Sequence, residues 1–257
     1  MFLTNEQWSV VAPFVEPLKR LETRGRPRQD DRRILEGILW TLKTGAQWKH
    51  LPKEYPPYQT CHRRFQTWVE SGAFDRIVMA LAMDMEYRGR IKLKSCFLDA
   101  TFAGAKKGAL ALGPTKRGKG CKIMAIADES SLPVAIYVGS ASPSEVRLVE
   151  ATLAGRFTKK NPNRLTADRA YDSDPLDGTL LKKYKIDLIS PHRKGRVRKV
   201  TQDGRALRSY KRRWKIERLF AWMHHWRKLV TRYEYKLQNF TAFVKLVCIM
   251  LLLKHYF

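Results

Sequence analysis

The sequence is short of acid. Its 257 residues carry 24 Asp and Glu against 50 Lys and Arg, a formal net charge of +26. Such an excess repels cationic partners, attracts polyanions and speeds their capture, so nucleic acid is the expected partner. An anionic bilayer also attracts cations, but here they run along the whole chain instead of gathering in one juxtamembrane block or amphipathic anchor. Cysteine is scarce. Cys61, Cys96, Cys121 and Cys248 stand apart with no CxxC pair and no short Cys/His spacing, which argues against a zinc site and for reduced, buried thiols. Long apolar runs are missing too: 246–253 is too short to span a bilayer. The opening MFLTNEQWSV lacks the basic-then-apolar order of a secretion signal, so the protein is expected to remain in the cytoplasm, with no membrane partner. No repeat or low-complexity tract appears.

What is present is enough for a proper core. A hydrophobic share of 44% over this length fits one large or two small domains. Residues 4–88 read as helices. Thr4 and Gln7 form a capping-box pattern ahead of Trp8, Val11 and Phe14. After the basic linker 21–29, Asp30 or Asp31 can cap a helix carrying Ile34, Leu35, Ile38, Leu39 and Leu42, which stops near Gly45. Pro52, Pro56 and Pro57 force a bend, Thr60 is the expected cap of a third helix ended by Gly72, and a fourth follows. Short helices split by tight turns, with Gln59, His62, Arg63, Arg64 and Gln66 on one of them, suit a helix-turn-helix-like DNA reader as well as a plain bundle.

The texture changes after Gly89. KSCFLDATF, CKIMAIAD and PVAIYVG are short β-prone runs, the last two close enough for a hairpin. SEVRLVEATLAG reads as a helix with Glu145 and Glu150 outward, RLTADRAYDS as a strand ending on acids, DPLDGTLLKKY as a helix and IDLISP as a strand. Strands in a meander, then alternating with helices, imply an α/β fold with a mixed sheet.

Three acids carry candidate chemistry. Asp99 ends the run Cys96, Phe97, Leu98, and Asp168 ends Leu165, Thr166, Ala167, so both are expected at strand ends, where active groups of open α/β sheets gather. The third is Glu217, in YKRRWKIERLFAWMHHWRK at 210–228. At about 100° per residue, Tyr210, Arg213, Glu217 and His224 share one helix face, beside an apolar stripe of Ile216, Leu219, Phe220 and Met223. Three carboxylates can hold Mg²⁺, whose octahedron is completed by water and phosphate. Plainer roles stay open: Asp99 as a turn cap before Thr101, Asp168 paired with Arg169, and Arg213 with Glu217 as a surface pair at i,i+4.

LDATF, TKRGKGCKIMAIAD, ASPSEVRLVEATL, ADRAYDSDPL, ISPHRKGR and above all YKRRWKIERLFAWMHHWRKLVTRYE resemble bacterial insertion-sequence transposases of the DDE type, in the insertion-sequence-five group. With GRPRQDDRRILEGILW and TGAQWKHLP, the resemblance covers nearly the whole chain. It implies a ribonuclease H-like catalytic domain over 91–257, behind a helical DNA-binding region over 1–90. Asp99, Asp168 and Glu217 are then the catalytic residues, binding two Mg²⁺ ions for which Mn²⁺ can substitute. The implied reaction is cleavage at transposon ends, followed by attack of a 3′-hydroxyl on target DNA. Double-stranded DNA is the implied partner, met by a homodimer at the bacterial nucleoid. The family's tyrosine, arginine, glutamate, lysine signature matches Tyr210, Arg213 and Glu217, but its lysine falls at His224, a weak phosphate contact unless protonated. Lys215, Arg227 or Lys228 are the expected replacements.

The stretch 192–215 holds eleven Lys and Arg, among them Lys211 and Arg212, against Asp203 alone, enough to follow a DNA backbone. Trp214 is a candidate to stack on an unpaired base, while Trp222 and Trp226 read as core. Two other readings stay open: a nuclease on the same fold without strand transfer, and a catalytically silent DNA-binding protein. The final helix, apolar nearly all round, is expected to be buried against the core or a second subunit.

Overall fold

The computed structural model describes residues 2–15, 28–106, 108–193 and 206–257, with Gly195 and Gly204. Residues 21–27 of the basic linker, and Lys194, Arg196, Arg198, Lys199 and Arg205 of the basic stretch, lie outside the described residues.

Four helices open the chain: α1 (Asn5–Val15), α2 (Asp31–Thr44), α3 (Tyr58–Glu70) and α4 (Ala73–Tyr87). The capping box at the start of α1 forms as read. The Thr4 amide donates to Gln7 Oε1 at 3.1 Å, and the Gln7 amide to Thr4 Oγ1 at 3.2 Å. Asp30 caps α2 by accepting from the Arg33 amide, and Gly45, at φ 74°, closes it in the left-handed conformation. Thr60 does not cap α3. The helix begins two residues earlier, behind Pro57, whose carbonyl accepts from the Thr60 and Cys61 amides.

The sheet follows as β1 (Cys96–Ala105), β2 (Gly113–Thr115), β3 (Gly118–Ala127) and β4 (Pro133–Ser140), then helix α5 (Glu145–Ala154) and β5 (Arg164–Thr166). After a short 3₁₀ turn at Arg169–Tyr171 come α6 (Asp174–Thr179), a π-turn at Leu180–Tyr184, and β6 (Asp187–Ile189). The main order is β2-β3-β1-β5-β6, with β4 added to β3. The β1, β3 and β4 pairings are antiparallel and those of β5 and β6 parallel, so the sheet is mixed as expected. The short β2 has no hydrophobic signal of its own.

The stretch 210–228 is not one helix. A 3₁₀ segment, Ala206–Arg212, leads into α7 (Trp214–His224), and a second 3₁₀ turn, Arg227–Leu229, leads into the two-residue β7 (Thr231–Arg232). β7 lies parallel to β1 at Gly104 and Ala105. α8 (Leu237–Lys254) closes the chain. It is long and apolar enough to cross a bilayer by composition, yet two thirds of it is buried inside the protein. It packs on α4, α3 and β4 and makes one continuous core of helices and sheet. Phe65 of α3 stacks on Phe243 of α8 with ring centroids 4.5 Å apart. All four cysteines are buried free thiols.

Candidate active site

Register assembles the site. β1 pairs in parallel with β5 at Phe97 and Thr166, and both Asp99 and Asp168 lie two residues further along. Asp168 keeps an extended backbone, φ −80° and ψ −179°, although β5 has ended. The two carboxylates therefore stand level on neighbouring strands, about 4.8 Å apart in backbone spacing, and on the same face. Asp99 is not at a strand end, as the sequence suggested. β1 runs six residues past it, because Ala100 to Gly104 pair with β3 from Met124 to Gly120. Only Asp168 sits beyond its strand, capping the following 3₁₀ turn through the Ala170 amide at 2.7 Å.

α7 delivers the third acid. Its buried stripe of Ile216, Leu219, Phe220 and Met223 seats it on β1 and β3, and Glu217 on the next face is exposed. Two basic side chains fix the helix to the β3–β4 turn. Lys215 donates to the Glu129 carbonyl at 2.5 Å, and Arg218 donates to Ser131 Oγ at 2.8 Å and the Ser130 carbonyl at 2.9 Å. That turn is itself held by buried Asp128, which accepts from the Lys92, Ser130 and Leu132 amides. Arg213, at the start of α7, links the acids. Nη1 donates to Asp99 Oδ2 at 3.0 Å and Nη2 to Glu217 Oε1 at 3.1 Å, with the guanidinium over the Tyr210 ring. The i,i+4 pair foreseen as a surface contact thus exists, but it also reaches the strand.

Burial pushes the Asp99 carboxyl up to about 6, further helped by Asp168 and Glu145, while the Ala100 amide and Arg213 work against the rise. Glu145 is the residue the sequence reading misplaced. It is half-buried, lies 3.5 Å from Lys122 Nζ and faces the acids instead of solvent. Tyr171 was missed altogether. It is fully buried, its hydroxyl makes no hydrogen bond of normal geometry to the described residues, and burial, then Glu145 and Asp99, hold its pKa well up. A tyrosine three residues after Asp168 was the available signal.

The other basic candidates scatter. His224 is half-buried with Nε2 3.4 Å from Thr101 Oγ1, and burial lowers its pKa, so it is neutral at pH 7. Lys228 is buried against Glu234 and cannot replace it, and Lys215 is committed to Glu129. Lys211, Arg212 and Arg227 are exposed. Arg63 is exposed on α3, remote in sequence from the acids, while Arg64 is bound to buried Asp31. Trp214 is 49% exposed and lies under Arg218, whereas Trp226 is core.

Comparison with known proteins identifies the chain. The family model described as "Transposase DDE domain" matches residues 92–253, and that described as "Putative transposase of IS4/5 family" matches residues 3–78. This chain belongs to the DDE transposase family. The transposase is 31% identical over 117 residues to "Insertion element IS402 uncharacterized 16.2 kDa protein" of Burkholderia cepacia, covering 44% of this chain and 80% of that one. It is 30% identical over 147 residues to "Putative transposase for insertion sequence element IS402" of the same organism, covering 54% and 65%. Among solved structures, a piggyBac transposase synaptic complex with hairpin DNA superposes with a TM-score of 0.50 at 11% identity, covering 99% of this chain and 73% of that one. That likeness is one of fold, the ribonuclease H-like mixed sheet with flanking helices.

Divalent metal ions serve this family's chemistry. Among the described residues no three His, Cys, Asp or Glu side chains converge closely enough to hold a metal as they stand. The donors nevertheless fit a hard cation. Asp99 and Asp168 offer carboxylate oxygens level on adjacent strands, and the raised pKa of Asp99 marks negative charge that Arg213 alone does not offset. All three acids converge only if Arg213 releases one of them.

Proposed function

We propose that this transposase binds the terminal inverted repeats of its insertion sequence as double-stranded DNA, cleaves the ends and joins the 3′-hydroxyl to target DNA. The observation that carries the proposal is the level pairing of Asp99 and Asp168, with Arg213 tying Glu217 of α7 to Asp99. Asp99, Asp168 and Glu217 would hold two Mg²⁺ ions, with Mn²⁺ as a substitute. Bound there, the metal supplies activation of the attacking oxygen and stabilisation of the leaving one in an in-line displacement at phosphorus.

The chain's own residues do the rest. Arg213 orients Glu217 and, once released, presents a planar fork to a phosphate. Tyr210 backs that guanidinium. Lys211, Arg212 and Arg227 supply exposed charge to follow the backbone into the site, and Arg63 does so from the helical region over 1–90, the DNA-binding part of the chain. The catalytic domain, 91–257, acts as a homodimer so that two ends meet two sites, at the nucleoid within the cytoplasm.

The test is a cleavage and joining assay on DNA carrying the flanking inverted repeats, with Mg²⁺, comparing wild type with Glu217→Ala. Glu217 is exposed, so the substitution leaves the fold intact. Loss of cleavage with DNA binding retained is expected, and retained cleavage refutes the assignment. Nicks without joined strands would mean a nuclease. Binding without cleavage by wild type would mean a silent DNA-binding protein, the reading that a neutral His224 favours.

A further inference from the structure

A second site lies between the helical region and the segment after α7. Gly45 and Trp48, His62 and Gln66 of α3, and the loop Tyr233–Lys236 enclose a cavity of about 580 Å³. Small-ligand sites span roughly 300–1,000 Å³. The cavity is separate from the three acids. β7, which leads into its lining loop, pairs with β1 five residues beyond Asp99, about 17 Å along the strand at ~3.3 Å per residue.

Its lining is specific in two ways. Tyr233 and Tyr235 are more than half exposed, and Trp48 packs edge-on to His62 with centroids 5.1 Å apart, so flat π-faces border the space. Behind them sits a buried carboxylate. The Glu234 side chain is only 8% exposed, its Oε1 is 3.4 Å from Lys228 Nζ, and its Oε2 is buried with no hydrogen-bond partner. Lys228 is already taken up by Glu234, the Ala46 carbonyl and the faces of Trp48 and Phe243. A buried carboxylate oxygen without a donor carries a desolvation cost that a ligand N–H would relieve. Burial and Lys228 lower the His62 pKa, so it adds a neutral imidazole and no charge.

We infer that this cavity takes a single unpaired nucleobase bearing an exocyclic amino group. The base stacks on the aromatic border, and its amino group donates to Glu234 Oε2. Adenine, cytosine and guanine qualify. Thymine, which presents carbonyl oxygens in place of an amino group, meets the carboxylate with like partial charge. The inference rests on the DNA-handling reading above and adds a second contact, remote from the acids, that reads a base instead of a phosphate.

The test uses the full chain without metal and measures anisotropy of a short labelled duplex carrying one bulged dC, one bulged dT, or no bulge. Wild type should bind the dC bulge about tenfold tighter than the dT bulge, the scale of one base contact. Tyr235→Ala, at an exposed position, should weaken bulge binding about tenfold and leave perfect-duplex binding unchanged. Glu234→Gln, which keeps the shape and gains a donor, should erase or reverse the dC preference. Equal binding of both bulges by a wild type that still binds perfect duplex overturns the pocket alone. No binding to any duplex overturns the DNA reading with it.

Discussion

Asp99→Asn should make the metal-free protein more stable near neutral pH. The carboxyl has an ordinary value of 3.8 and is pushed up to about 6 in the fold, chiefly by burial. Between those values the native state holds a proton that the unfolded chain has released, so stability falls as pH rises. A rise from 3.8 to about 6 is worth about 3 kcal/mol at ~1.4 kcal/mol per pH unit, fully expressed above pH ~7 and absent below pH ~4. Asparagine does not ionise and escapes this loss. It also weakens the charge-assisted bond from Arg213, which offsets about 1 kcal/mol. The net gain is about 2 kcal/mol at neutral pH, or roughly 4–8 °C in Tm for a chain of this size. Thermal melts of both proteins in chelator at pH ~7.5 and ~4 test the linkage, because differences between the two proteins cancel every other titrating group. A variant no more stable at neutral pH, or equally more stable at both, would refute the argument. Added Mg²⁺ should raise Tm in wild type and not in the variant, since only the carboxylate form binds it.

Two further outcomes follow. His224→Lys places a permanent charge where a half-buried, neutral imidazole stands, so the plot of log Kd against log salt for DNA ends should steepen by about one unit at neutral pH, read by anisotropy. An unchanged slope would show that this position does not face phosphate. Gly120→Ala puts a Cβ 2.4 Å from the Ala103 carbonyl oxygen and 2.6 Å from the Phe102 ring, where β3 crosses β1. A loss of about 1–3 kcal/mol or more in urea unfolding is expected, and a neutral result would mean that the strands separate there at little cost.

Lattice-independent charge and local pattern explain why so much was legible. Thr4 with Gln7, Asp30 with Arg33, and the stripe on α7 are decided within a few residues, by hydrogen bonds and helical periodicity that any sequence window contains. The three acids were readable as residues for the same reason, and the resemblance put them in order. Their setting was not. That Asp99 lies inside β1 follows from its pairing with β3, and that Glu145 turns inward follows from where α5 lands on the sheet.

The sequence by itself determined the helices and strands, the basic character and the identity of the acids, because these depend on near neighbours and on summed charge. Only the tertiary structure decided that Asp99 and Asp168 stand level, that Arg213 joins two acids, that Lys228 is buried and that Glu234 keeps an unpartnered oxygen. Strand register, burial and the partner of a long side chain are set by contacts between residues tens or hundreds of positions apart, and no local pattern carries them.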